Sequence, residues 1–174
     1  PYMVFALPLS VCTESVCELV DVQIEDDESF DEIPERLNEK SPEGIKFKKA
    51  YEPLTKFKDI AYIDAEGRFE YDGRVSENLL DKLSNFFKKD EIVIKKKTKK
   101  GIKDTDIKPG IKDIIFEKAD DNTVLVKARV TAQNPTTNPD LIATALRELE
   151  PDVAPDFSEF MRMAMVFEDG KKFS

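Results

Sequence analysis

An α+β fold is the class this sequence predicts, and three observations carry the prediction. Stretches of period-two alternation such as Glu18–Ile24 (ELVDVQI) recur along the chain, separated by segments whose apolar residues fall three and four apart. Two alternating runs meet at Asp120-Asp121-Asn122, a tight polar turn of the kind that joins antiparallel strands. With 174 residues, 40% apolar and 36% charged, the chain has room for one ordinary domain or two small ones under a heavily solvated surface.

Met3–Leu9 (MVFALPL) is a short apolar run closed by turn residues, and it reads as a strand, as does Glu18–Ile24, with Cys12–Cys17 connecting them. Asp26–Ser29 is an acidic turn. Ser29 is placed to cap a helix through Phe30, Ile33 and Leu37, with Glu32 at the capping-box position. Ser41-Pro42-Glu43-Gly44 stops that helix, and Ile45–Tyr51 (IKFKKAY) alternates as a further strand. Residues 54–67 are mixed and read as a linker with a helical turn. A second pass opens with a strand at Arg68–Tyr71. Ser76 then caps a helix carrying Leu79, Leu80, Leu83, Phe86 and Phe87, and Glu91–Lys97 forms a strand. Ile114–Lys118 and Thr123–Thr131 pair across the Asp120 turn. Asn138-Pro139 supplies a cap and a first-turn proline for a helix over Asp140–Leu149, and Phe160–Phe167 (FMRMAMVF) is the closing strand.

The second half therefore reads β-α-β-(β)-β-α-β, close to a split βαβ, ferredoxin-like arrangement. Residues 1–53 read ββαβ, the same unit without its opening strand and helix. The expected organisation is two tandem ferredoxin-like units, the first incomplete: a partial unit over 1–53, a linker over 54–67 and a full unit over 68–174. An opening strand is central in such a sheet, so the sequence is expected to begin inside a longer unit.

Charge is distributed unevenly. From Lys88 to Lys103 eight lysines stand against Asp90 and Glu91, a local excess of +6 that leaves −15 for the rest of a chain of net charge −9. A basic block in an acidic protein is a localised footprint for a polyanion. Lys95, Lys96, Lys97, Lys99, Lys100, Lys103 and Lys108 are the candidate phosphate contacts, with Lys95 and Lys97 on one face of a strand, Lys96 on the other, and Lys99, Lys100 and Lys103 in a loop around Gly101. The alternative is a solvated tip or a lysine-guarded edge strand. Asp104-Thr105-Asp106 follows directly. Its carboxylates either hold a metal with Asp113 or cap the turn at Pro109, with capping the expected role of Asp106. The loop Gln133–Pro139 offers Asn134 and Asn138 at a helix start, either as an anion-receiving loop or as a plain loop ending in a cap. Phe69 and Tyr71 either stack on bases or pack in the core, and core packing is expected.

Several classes drop out. The chain has no histidine, which removes Ser-His-Asp and Cys-His catalysis and the usual proton shuttle. Neither GxGxxG nor Gly-x-x-x-x-Gly-Lys occurs among six glycines. Cys12 and Cys17 lack further thiol or imidazole ligands for zinc and read as reduced thiols flanking a turn. No uncharged stretch approaches the ~20 apolar residues of a membrane span, and Tyr2–Val11 lacks the basic flank of a signal peptide. No catalytic residue, metal site or cofactor is expected.

Phe5-Ala6-Leu7-Pro8-Leu9-Ser10-Val11, Glu14-Ser15, Glu18, Leu37-Asn38 and Pro42-Glu43-Gly44-Ile45 carry a family likeness. So do Lys99-Lys100-Gly101-Ile102-Lys103, Asp106-Ile107-Lys108-Pro109-Gly110-Ile111 and Asn138-Pro139-Asp140-Leu141. On these segments the chain resembles the radical-SAM-linked domain of unknown function, over nearly all of residues 3–167, with the family's usual upstream segment lacking. That domain often follows a cobalamin-binding radical SAM enzyme and also occurs alone. Glycines usual in the family's first turn are Cys12 and Cys17 here. The resemblance implies an RNA-related setting and an architecture similar to tRNA pseudouridine synthases. Those enzymes need an Arg-Thr-Asp tripeptide, which this sequence lacks, so their activity does not carry over.

The expected function is a non-catalytic, cytoplasmic accessory domain that presents tRNA, rRNA or another anionic substrate to a fused or separate radical SAM enzyme. A protein-interaction domain docking its lysines on that enzyme is the second expectation, and a stand-alone RNA-modifying enzyme the third.

Overall fold

The computed structural model describes residues 2–11, 13–24, 28–73, 75–98 and 101–173. Its class is mixed α+β, as the sequence predicts, with a mostly antiparallel main sheet and, among the described residues, three α-helices. The chain divides into two compact units, one of residues 1–8 and 18–57 and one of residues 9–17 and 58–174.

The first unit holds β1 (Met3–Phe5), which pairs antiparallel with Val20–Val22 in the register Met3 to Val22 and Phe5 to Val20. Chain order makes Glu14–Ser15, in the second unit, β2 and Val20–Val22 β3. Both outer strands are shorter than the alternation suggests, and the backbone bonds Ala6 N to Leu19 O and Gln23 N to Tyr2 O extend the pair slightly. Helix α1 (Glu32–Lys40) starts after Ser29, whose hydroxyl accepts the Asp31 amide at 3.4 Å and whose carbonyl accepts those of Glu32 and Ile33. The strand expected at Ile45–Tyr51 does not form. Asn38 of α1 takes both polar backbone groups of Phe47 with its amide, donating to the carbonyl and accepting from the N–H at 2.8 Å each. A side chain thus occupies the place of a strand partner at the middle of the segment.

The second unit contains the main sheet. Strand β4 runs from Tyr62 to Glu70, so six residues read as linker belong to it. Helix α2 (Glu77–Phe86) begins at Ser76, whose hydroxyl accepts the Leu79 amide at 3.2 Å, the N-cap that the sequence predicts. Then come β5 (Val93–Thr98), β6 (Gly101–Asp106), β7 (Ile111–Lys118), β8 (Thr123–Thr131), α3 (Asp140–Leu149) and β9 (Phe157–Val166). The spatial order is β2-β9-β4-β8-β7. Neighbours are antiparallel except β2, which lies parallel to β9 through Glu14–Met161 and Ser15–Arg162. Helix α2 links β4 to β7 and α3 links β8 to β9, each pair of strands being separated by one antiparallel strand. The β5–β6 hairpin is a sheet of its own, inserted between α2 and β7.

Alternation explains which face of the main sheet is covered. Ile63, Ala65 and Phe69 of β4 and Val124, Val126, Ala128 and Val130 of β8 are buried, as are Leu83 and Phe86 of α2 and Ile142, Ala143, Ala145 and Leu146 of α3. A chain of rings runs Phe86–Phe87–Phe116–Phe69–Phe160, with centroids 4.8, 5.7, 6.3 and 5.8 Å apart. Each such pair adds about 0.5–1.5 kcal/mol beyond area burial. Gly67 is obligatory in this packing, because a Cβ there would enter the Phe160 ring.

Candidate nucleic-acid interface

The lysine block is a hairpin. Strand β5 carries Lys95, Lys96 and Lys97, and Lys103 lies within β6 rather than in a loop. Ile92 and Ile94 are buried and anchor the start of the ribbon, while Lys95, Lys96 and Lys97 step out of the core and are exposed or half-buried. The register sets what each lysine faces. Lys95 lies opposite Asp104, Lys97 opposite Ile102 and Lys96 opposite Lys103. Directly opposed residues of an antiparallel pair share a face. One face of the ribbon therefore carries Lys95, Lys97, Asp104 and Ile102, and the other presents Lys96 beside Lys103 with no carboxylate among its described residues. Among the described residues, no ion pair engages Lys95, Lys96, Lys97 or Lys103. Lys99 and Lys100 lie outside the described residues.

The base of the hairpin is fastened by acceptors. Asp106 Oδ1 accepts the amides of Ile92 and Lys108 at 2.9 Å each, and Glu148 of α3 accepts the Lys95 amide at 2.9 Å. Asp106 is thus the local cap that the spacing suggests, with Oδ1 shared by two amides. Glu148, 53 residues from Lys95, gives no sign of this role in the sequence. The Lys108 ammonium donates to the Phe87 carbonyl and belongs to the base rather than the tip. Carboxylates at the base and unpaired ammonium groups further out give the ribbon a charge gradient along its length.

Asn138 Oδ1 accepts the Asp140 amide at 3.1 Å at the start of α3, so it acts as a cap. Asn134 is exposed, with a left-handed φ of 47°. The rest of that loop satisfies itself: Thr131 Oγ1 donates to Pro135 O at 2.6 Å, Thr136 Oγ1 to Ala132 O at 3.0 Å, and Gln133 Nε2 to Ile60 O at 3.1 Å. Buried Thr137 packs so closely on Gly110 that a Cβ at Gly110 would collide with its hydroxyl. The loop therefore adjoins the hairpin base at Gly110 and contributes no basic side chain. Asp113 lies opposite Arg129 in the sheet register, away from Asp106 in sequence role and pairing, and among the described residues no three metal-ligating side chains gather to hold an ion.

Phe69 and Tyr71 form no stacking platform on the uncovered sheet face. Phe69 is 0% exposed, and the Tyr71 hydroxyl donates to Val153 O at 3.1 Å. That face carries Asp64, Glu66, Glu70, Glu117 and Glu159, and its bases are engaged: Arg129 with Asp64 at 2.7 and 2.9 Å, Lys127 with Glu117 at 2.8 Å, Arg68 with Glu70 at 2.9 Å. The hydrogen bond from Arg129 to Asp64, followed by the carboxylate charge, raises the guanidinium pKa further.

A family model described as "Uncharacterized protein conserved in bacteria (DUF2344)" matches residues 1–139, most of the chain. The chain belongs to DUF2344. The matched region of this DUF2344 chain includes the whole β5–β6 hairpin, its Asp106–Gly110 base and the loop that packs on Gly110. No curated protein and no solved structure matches the chain. Among the described residues, no helix of this DUF2344 chain is long and apolar enough to cross a membrane.

Proposed function

We propose that this DUF2344 chain is a non-catalytic accessory domain of a radical SAM system, working in the cytoplasm and holding RNA or another anionic substrate on its β5–β6 hairpin. The observation that carries the binding role is Lys96 directly opposite Lys103 on a ribbon face free of carboxylates. Like charges set directly opposite each other on a sheet are destabilising, so a pair retained without a counter-charge is better accounted for by an external anion than by stability. The radical SAM connection rests on the resemblance of Lys99–Lys103, Asp106–Ile111 and Asn138–Leu141. The spatial order β9-β4-β8-β7 with its two helical crossovers supports a ferredoxin-like second unit carrying the hairpin as an insertion. The tandem arrangement and the likeness to pseudouridine synthases belong to the same proposal.

Gel-shift titration of the full chain with tRNA and rRNA fragments at two salt concentrations tests the reading. Replacing Lys96, Lys97, Lys99 and Lys100 by Gln is expected to weaken binding and flatten its salt dependence, since each neutralised phosphate releases counterions. Unchanged binding sinks the RNA role. Association with a radical SAM enzyme that then survives nuclease treatment would favour docking on protein instead.

A further inference from the structure

We infer that the anion is a double-helical RNA segment, entered by the hairpin as a ribbon between two phosphate strands. This rests on the reading just given and narrows it. Three features of the ribbon carry the inference.

The first is that cationic side chains leave both faces. Lys97 stands on one face and Lys96 with Lys103 on the other, all within the last residues before the Thr98–Gly101 end of the ladder. A single strand lying on a surface is served by one basic face. A ribbon with ammonium groups on opposite sides satisfies both only where phosphates flank it on two sides, as the walls of a helical groove do.

The second feature is the lack of a stacking surface on the hairpin strands. Binding of single strands without sequence preference relies on exposed aromatic side chains, each worth about 1–3 kcal/mol per base. The described hairpin residues, VIKKKT and GIKDTD, include no aromatic residue, and Phe86 and Phe87 at the end of α2 are buried. The uncovered sheet face sets its exposed ring, Phe157 opposite Glu70, among carboxylates and engaged bases rather than beside free cations.

The third feature is Ile102, 74% exposed and paired across from Lys97. An aliphatic side chain cannot stack as a ring does, but it can pack on sugar edges beside a phosphate-bound lysine. The bidentate readers Arg, Asn and Gln are absent from both strands, and the lysines present serve equally as point charges for phosphate. Contact to phosphates and sugar edges is how an A-form helix is held, by its shape and across its wide, shallow minor groove.

Fluorescence anisotropy with the full chain, a perfect RNA duplex and each of its single strands tests this. The duplex is expected to bind about tenfold or more tighter than either strand, with a log-log salt slope that becomes shallower by about 1 for each of Lys96, Lys97 and Lys103 changed to Gln. The single change Lys97→Gln and the pair Lys96→Gln with Lys103→Gln are both expected to weaken duplex binding, because each strips one face. Arg at the same three positions keeps the charge and is expected to keep the slope, and circular dichroism melts of each variant confirm that it is folded. Equal affinity for single strands, lost with the same lysines, overturns the duplex inference and leaves the hairpin reading standing. Binding that ignores all three lysines overturns both.

Discussion

At the scale of single residues, the positions with the clearest structural duties are fasteners. Asp106 holds Ile92 and Lys108, Asn38 holds Phe47, and Gly110 admits Thr137. Asp106 and Asn138 were legible as caps, because an Asx side chain next to a turn or a proline has few other uses. Asn38 was not, since its partner lies nine residues on, past a Pro-Glu-Gly turn that gives no warning of it. Tyr71 combines both cases. Its ring is half-buried and its hydroxyl donates to Val153 O, and burial first, then the nearby Asp156 charge, pushes its pKa well up. The folded chain therefore keeps a proton that the unfolded chain releases near the ordinary tyrosine value of about 10. The stability this gives is complete below pH ~10 and is lost as pH rises from there toward the higher folded value. Urea midpoints measured from pH 8 to 11 are expected to fall less steeply in Tyr71→Phe than in the parent chain. Parallel curves would show that Tyr71 is not the group responsible.

At the scale of elements, periodicity served well where it was strong. Helices α2 and α3 and strand β8 lie where apolar spacing places them. The first half of strand β4 escapes the pattern because Ala65 and Gly67, its inward positions between Ile63 and Phe69, are too small to read as an apolar face. The glycine at 67 is set by the Phe160 ring rather than by strand propensity. Strand β6 was missed for another reason. GIKDTD has one large apolar residue, which points to solvent, and the strand exists by pairing with β5 rather than by burial. That origin has a consequence for the Lys96–Lys103 pair. Lys96→Glu replaces a like-charge contact with an opposite-charge one and is expected to stabilise the ribbon by about 0.2–1 kcal/mol. The same change places a carboxylate on the face that meets the anion, so RNA affinity falls while the melting temperature does not. A variant that loses both, or neither, contradicts the assignment of this pair to ligand binding.

At the scale of the whole molecule, the α+β class was legible, but the pairing of β2 with β9 was not. Two residues near position 14 join a strand near position 161, and so short a segment carries no pattern. The two compact units also differ in what holds each together. The first has a three-residue strand pair and a nine-residue helix with no fully buried residue. Isolated helices shorter than ~12–15 residues are marginal in water, and so are two-stranded ribbons. The second has a five-stranded sheet with β4 bonded on both sides and a continuous aromatic core. Local opening follows such differences, since amides exchange according to the buried contacts that must be broken to expose them. Hydrogen exchange followed by mass spectrometry is expected to find the slowest amides in residues 62–70 and 123–131. Residues 3–5, 20–22 and 45–57 are expected to exchange orders of magnitude sooner, with Phe47 lagging its neighbours because its N–H is held by Asn38. First-unit amides as well protected as those of β4 would mean that contacts beyond its own strands and helix hold that unit closed.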